Sequence, residues 1–287
     1  MTPFGQQFAA FAGSIQAGSR LRLAPTPSGF LHAGNALNFV LNWLAARLGD
    51  AGLLLRIDDL DADRKRPEYV QDIFDSLTWL GLDWDEGPRL NSDFEENWSQ
   101  HLRLPLYFKT LNKLREKDLL FACRKSRRDL EPFDGVYPPE FRDQGLSLDE
   151  PDVAWRIKTP GGFSMPDFVV RRRDGLPAYQ VASLADDLHF GVTHVIRGAD
   201  LEQSTEAQRF LAGCLNENKF LNINFLHHPL MTDERGGKLS KSAGAFSLKT
   251  MREGGAGAEA IFGEVAKVLG LQGKIDSAEG LLASASL

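Results

Sequence analysis

Residues 21–57 constrain the fold of this chain more than any other stretch. Leu21-Arg22-Leu23 reads as a short strand, and a Pro/Gly turn over 24–34 carries one histidine, His32. Leu37, Leu41, Leu44 and Leu48 then recur at helical spacing until Gly49 supplies a stop, while Asn38, Asn42 and Arg47 fall off that stripe. Leu53-Leu54-Leu55-Arg56-Ile57 follows as a buried strand. Strand, helix and strand over this length form a βαβ unit, whose crossover is right-handed and whose ligands lie beyond the carboxyl ends of the strands. The 24–34 turn sits at that end. The free N–H groups and partial positive charge of a helix start favour an anion there, and Gly29 and Gly34 let a ligand approach the backbone. The turn therefore reads as a phosphate or nucleotide site, although an isolated His32 serves equally as a structural cap or hydrogen-bond partner.

With 287 residues, 43% of them hydrophobic, the chain buries a substantial core, as one main domain with a smaller insertion or appendage. No apolar run approaches the roughly 18 residues that a membrane span needs, and the first 19 residues lack the pattern of a signal peptide. A cytoplasmic location with no membrane partner is the expectation. Cys123 and Cys214 are too few for a disulfide framework or an all-cysteine metal site. The net charge of −6 argues against binding nucleic acid over the whole surface. Local basic clusters at 64–66, 124–128 and 171–173 neutralise phosphates if they share one face, and are otherwise solvated surface.

Further along, Pro67 opens a helix with an apolar stripe of Val70, Ile73, Phe74, Leu77 and Leu80, and a second helix covers 105–117. Residues 131–151, rich in Pro, Gly and acidic groups, read as an irregular inserted segment. Two extended runs, 168–173 and 176–179, are joined by an Asp174-Gly175 hairpin turn. A strand ends near Arg197, and Thr205 with Gln208 forms a capping box before the next helix. There is no internal repeat. The stretch TDERGGKLSKSAGA, residues 232–245, puts Lys238 and Lys241 between glycines, where two cations can close over a polyphosphate. Alone it is an unremarkable solvated loop; with the Gly-x-x-His-x-Gly of 29–34 in one α/β chain it is far more specific.

Together these two elements resemble the signatures of class I aminoacyl-tRNA synthetases, and the surrounding sequence is similar to the glutamyl branch. The likeness covers most of 20–250, including LLRIDDLDADRKRPEYVQDIFDSLTWLGLDWDEGP at 54–88 and DFVVRRRDGLPAYQVASLADDLHFGVTHVIRGADL at 167–201. It implies an α/β, Rossmann-like class I catalytic domain with an inserted α+β segment. The corresponding division is an N-terminal extension (1–19), a first catalytic half (20–120), the insert (121–165), a second half with the Lys-Leu-Ser-Lys-Ser loop (166–250), and a short helical tail (251–287).

The resemblance implies that a glutamate carboxylate attacks the α-phosphorus of ATP, that pyrophosphate leaves, and that an RNA hydroxyl then attacks the adenylate. By similarity His32 and Lys241 are catalytic, and Gly29, His32, Gly34, Asn35, Lys238, Ser240 and Lys241 bind ATP with its magnesium. Arg22, Thr26, Asp58, Tyr179, Ser183 and Arg197 form the amino-acid pocket, with Asp58 facing the substrate amino group. Arginine suits a side-chain carboxylate because its planar fork binds both oxygens. Two residues depart from the family pattern. Asp58 stands where glutamate is usual, which shortens its reach by about 1.5 Å, and Ser183 replaces an asparagine.

Only 46 residues follow Lys241, and 254–273 supports one short helix rather than an anticodon-binding domain. The chain is thus similar to the glutamyl-queuosine tRNA(Asp) synthetases, shortened paralogues that attach glutamate to a modified anticodon base. That likeness implies glutamate, ATP and tRNA(Asp) as partners. A truncated glutamyl- or glutaminyl-tRNA synthetase charging the 3′ end, a weakly active RNA-binding paralogue, and another adenylyl transferase are the alternatives. Relatives often hold zinc in the insert; the matching positions here are Cys123, Lys125, Tyr137 and Phe141, so no structural zinc is expected, and packing around Phe121, Phe133 and Phe141 takes its place.

Overall fold

The computed structural model describes residues 1–231 and 247–285. The chain begins with α1 (Pro3–Gly13), β1 (Arg20–Leu23), α2 (Ala33–Leu48), β2 (Gly52–Leu55), α3 (Pro67–Trp79) and the short α4 (Asn91–Asp93). It continues through α5 (Leu104–Glu116), β3 (Leu120–Cys123), α6 (Arg127–Leu130), β4 (Ala154–Ile157), β5 (Val169–Arg171) and α7 (Tyr179–His189). Then come β6 (His194–Gly198), α8 (Glu202–Leu215), α9 (Asn218–Leu221), β7 (Asn224–His228), α10 (Leu248–Glu253), α11 (Glu259–Leu269) and α12 (Ala278–Ala285). Among the described residues no helix is long and apolar enough to cross a membrane.

Two compact units divide these elements. The first comprises Met1–Leu102, Val192–Leu201 and Ile223–Leu287. Its parallel pairs are β1 with β2, Arg20 opposite Gly52, and β6 with β7, His194 opposite Asn224. They are joined edge to edge at Thr193, whose N–H donates to the Arg20 carbonyl (3.0 Å) and whose hydroxyl accepts from the Arg20 N–H (2.9 Å). Past β2 the parallel arrangement extends by one bridge, Leu54 to Glu86. The expected βαβ unit thus forms as β1-α2-β2, with the parallel pair β6-β7 beside it.

The helix that crosses over this sheet, α2, is buried on more than its leucine stripe. Asn42, off that stripe, is fully enclosed, which corrects the amphipathic reading. Its amide donates to the Ile196 carbonyl of β6 (3.1 Å), as does that of Asn38 (3.1 Å). A carbonyl left unpaired there would cost about 1–3 kcal/mol, so the helix carries polar side chains on a buried face. The other sides of α2 are covered from both chain ends. Phe4, Phe8 and Phe11 of α1, with Ile261, Phe262 and Val265 of α11 and Leu281 of α12, join its core. Within 254–273 the one expected helix forms as α11, and α12 follows it, each with buried apolar residues in that core.

The second unit comprises Arg103–Gly191 and Glu202–Asn222. An antiparallel sheet in the order β3-β4-β5 lies beside the helical segments α5, α7, α8 and α9. Buried charges tie it together. Asp186 is fully enclosed, paired with Arg103 (2.7 Å) and accepting from the Tyr107 hydroxyl (2.8 Å). Asp167 takes both Arg142 donors (2.6 and 2.7 Å) and the Thr159 N–H (2.9 Å). Removing one partner of such a pair strands a buried charge and typically costs about 3–5 kcal/mol.

Two local expectations change here. The Asp174-Gly175 turn forms, with Gly175 at a φ of +88°, but its second arm makes only one bridge, Pro177 to Arg171. Tyr179 already opens α7. The Thr205/Gln208 capping box does not form, because α8 starts at Glu202 after a 3-10 turn over Ala199–Leu201, which places both residues inside the helix and buries them.

Candidate active site

In the first unit the carboxyl ends of β1, β2 and β6 gather most of the residues that the sequence singles out. After β1 the chain turns and enters α2 through His32 as its N-cap. The His32 Nδ1 accepts from the Gly34 N–H (3.1 Å), and the Asn35 side-chain oxygen accepts from the His32 N–H (3.0 Å), a reciprocal capping box. Because Nδ1 accepts, the proton of the neutral ring resides on Nε2, which makes that atom a hydrogen-bond donor. The cap thus fixes the ring's tautomer along with its position. Gly34 supports the same arrangement: a β-carbon there would lie 3.1 Å from the His32 Cε1 and 3.2 Å from Nδ1.

Arg22, in the middle of β1, is 4% exposed, and Arg197, near the end of β6, is 3% exposed with its guanidinium 4.8 Å from the Phe225 ring centre. Thr26 is exposed and Gly29 half-buried in the turn. Asp58 follows β2, positioned by its N–H to the Pro25 carbonyl (2.8 Å). Its carboxylate takes a two-pronged bond from Arg56, 2.7 Å to Nε and 3.0 Å to Nη2. Sequence reasoning missed that partner, although two residues along an extended segment place both side chains on one face. Sequence reasoning also missed the neighbouring Asp59, which is buried and accepts from Ser99 Oγ (2.7 Å), Gln100 N (2.7 Å) and Lys65 Nζ (3.2 Å), fixing the segment that carries Asp58.

Tyr179 and Ser183 belong to the second unit, one turn apart on α7; Tyr179 is 41% exposed and Ser183 fully enclosed. Lys238, Ser240 and Lys241 lie outside the described residues.

The second unit also brings Cys123, Lys125, Tyr137 and Phe141 together. The Tyr137 hydroxyl lies 3.2 Å from Cys123 Sγ, donates to the Phe141 carbonyl (2.8 Å) and accepts from Gln144 Nε2 (2.7 Å). Lys125 Nζ sits 4.5 Å above the Phe141 ring. An ammonium stacked on an aromatic ring supplies two non-ligands where a tetrahedral zinc needs two more donors, so this cluster does not fit zinc. Burial raises the Cys123 thiol pKa, but hydrogen bonds from Tyr137, Gln144 and the Lys125 N–H outweigh it and bring it below its ordinary value. Phe121, Tyr137, Phe133 and Phe141 pack edge to face or tilted around this hub.

Parallel strands, the first feeding a His-capped helix, with buried arginines on β1 and β6, fit a class I aminoacyl-tRNA synthetase catalytic domain. The chain belongs to the family of class I tRNA synthetases (E and Q), catalytic domain, which matches residues 19–131 and 148–276. It is 41% identical to the glutamyl-Q tRNA(Asp) synthetase of Parasynechococcus marenigrum, across 88% of this chain and 83% of that one. It is 35% identical to the protein of that name from Nitratidesulfovibrio vulgaris, across 88% and 86%. Among solved structures, the glutamate-tRNA synthetase of Elizabethkingia anophelis shares the fold at a TM-score of 0.75 and 24% identity, covering 93% of this chain and 65% of that one.

Proposed function

We propose that this protein activates glutamate with ATP and transfers it to the queuosine base in the anticodon of tRNA(Asp). The observation that carries the reading is the 35–41% identity with proteins named glutamyl-Q tRNA(Asp) synthetase, over most of the length of both partners. Acting where ATP and tRNA are found, it works in the cytoplasm. In the first step a glutamate carboxylate oxygen attacks the α-phosphorus and pyrophosphate leaves. A hydroxyl of the queuosine ring then attacks the adenylate carbonyl, releasing AMP and leaving an ester.

Within this proposal the Nε2–H of His32 donates to ATP phosphate oxygens as negative charge develops, and the backbone at Gly29, Gly34 and Asn35 lines the nucleotide. Lys238, Ser240 and Lys241 complete the phosphate contacts, with magnesium carried in on ATP. Arg22 and Arg197 hold the substrate side-chain carboxylate, and Thr26 lines its pocket. Asp58, held by Arg56, faces the substrate ammonium. The insert folds on its hydrogen-bonded aromatic hub without zinc.

The test is direct. His32→Ala and Lys241→Ala, each verified as folded, are expected to lose orders of magnitude in glutamate-dependent ATP–pyrophosphate exchange. An isolated queuosine-containing anticodon stem-loop is expected to be glutamylated, and the same loop with guanosine is not. Labelling of unmodified full-length tRNA at its 3′ end would replace this reading with that of a truncated synthetase.

A further inference from the structure

Asp72 lies on α3 and touches none of the residues assigned above, yet it is 2% exposed and each of its oxygens holds a different part of the first unit. Oδ2 accepts from the Leu31 N–H at 2.9 Å, one residue before the His32 cap. Oδ1 accepts from Arg252 Nη2 at 2.9 Å, on α10. Arg252 is held further on α3 by the Ser76 hydroxyl (2.7 Å) and Asp75 (3.8 Å). Residues 30–32 and 247–249 are also joined to each other. His32 makes an antiparallel bridge with Ser247, and the Leu248 N–H donates to the Leu31 carbonyl (2.8 Å). Lys249 Nζ lies 4.4 Å above the Phe30 ring, which itself meets Tyr69 of α3 edge to face at 5.0 Å.

We infer that Asp72 is a positioning residue for the adenylation step: one buried carboxylate fixes the His32 turn to the segment that immediately follows the Lys238/Lys241 stretch in the sequence. The physical basis is rigidity. Phosphoryl transfer depends on where the donors stand, and a misplacement near 1 Å costs on the order of a hundredfold in rate. The Leu31 N–H precedes the helix and has no helical carbonyl to bond, so without Asp72 the residue next to His32 keeps only its carbonyl bond to Leu248 and loses its tie to α3. The 247–252 segment loses its shorter ion pair in the same change, keeping only the longer contact of Arg252 with Asp75. A carboxylate suits both tasks because it accepts from an amide and a guanidinium at once. Asparagine keeps one acceptor but turns an amide donor toward Arg252 or toward Leu31.

This inference rests on the proposed roles of His32 and Lys241, and its test separates the two. Glutamate-dependent ATP–pyrophosphate exchange is measured for the full chain, Asp72→Asn, Arg252→Gln, Arg252→Lys and His32→Ala, with the rate normalised by titration of active sites. Asp72→Asn and Arg252→Gln are expected to lower kcat per active site by ten- to a hundredfold with the KM for glutamate within twofold. Arg252→Lys, which keeps the charge, is expected to recover at least a third of the rate. A merely structural role would reduce the titratable fraction and leave the rate of each remaining site unchanged, and that result overturns the inference. Should Asp72→Asn fail to fold, the Arg252 pair, on the more exposed partner, decides the question by the same readout. Normal exchange in His32→Ala would overturn the proposed role of His32, and with it this role for Asp72, while leaving glutamate activation standing.

Discussion

Gly34→Ala separates the stability of the α2 start from its chemistry. Gly34 is the second residue of a helix, where alanine is favoured over glycine by about 1 kcal/mol. The added β-carbon, however, would sit 3.1 Å from His32 Cε1 and 3.2 Å from Nδ1, so the ring must give by a few tenths of an ångström. That movement weakens the Nδ1 cap, which returns about 0.5–1 kcal/mol of the gain. The net change in stability is therefore within about 1 kcal/mol, a Tm shift below about 3 °C. The rate behaves differently. If a 1 Å misplacement costs about a hundredfold, a third of that displacement costs about fivefold, close to 1 kcal/mol in the barrier. Pyrophosphate exchange and thermal melting on the same preparation measure both. The expected result is a several-fold fall in kcat at unchanged Tm. An unchanged kcat refutes the argument, and so does a loss that falls wholly on the KM for ATP, since Gly34 would then serve nucleotide clearance and not the His32 ring.

Tyr137→Phe removes a buried hydroxyl that donates to Phe141 and accepts from Gln144, and is expected to destabilise the protein by about 1–3 kcal/mol. A chelator is expected to leave the Tm of the unaltered protein unchanged, and one zinc per chain in elemental analysis would contradict the metal-free hub. Arg171 and Arg172 are both half-buried, the first with its guanidinium 4.9 Å from the Trp155 ring centre and the second paired with Asp174, while Arg173 is exposed; Arg172 and Arg173 carry the test of this cluster. Their double replacement by alanine is expected to weaken binding of every tRNA and flatten its salt dependence while glutamate activation is retained; an unaltered salt slope would exclude them. Burial holds the pKa of His194 below the ordinary 6.5, against the opposing bond from Ser14, and burial does the same to His228. The unfolded chain therefore takes up these protons first, so stability is full above about pH 6.5 and falls as the pH drops below it. Melting between pH 7.5 and 5.5 should show that slope, reduced in His194→Gln; an identical slope in the variant would assign it elsewhere.

The sequence by itself determined the elements whose signals are local. The leucine spacing of α2, Pro67 at the start of α3 and the Asp174-Gly175 turn each depend on the residues within a few positions, and each forms where those residues stand. The placement of the 24–34 turn and of Asp58 beyond the carboxyl ends of β1 and β2 was legible too, because a βαβ unit with parallel strands dictates where its turns lie. What the tertiary structure decided are partnerships between residues far apart in the chain. Asn42 reads as a surface residue of an amphipathic helix until β6, more than 150 positions later, presents a carbonyl that needs a donor. Thr205 and Gln208 carry a capping pattern, but the preceding turn lets the helix start three residues earlier, and the pattern is absorbed into its buried face. The sequence of 254–273 predicts the one helix that forms there, whereas α12, beyond it, is fixed by packing in the core that it shares with α1, α2 and α11. Asp72 looks like one more charge on α3, and only the fold brings Leu31 and Arg252 to its two oxygens. Periodicity and turn chemistry act over a few residues and are written along the chain, whereas the satisfaction of a buried polar group depends on whichever distant segment arrives beside it.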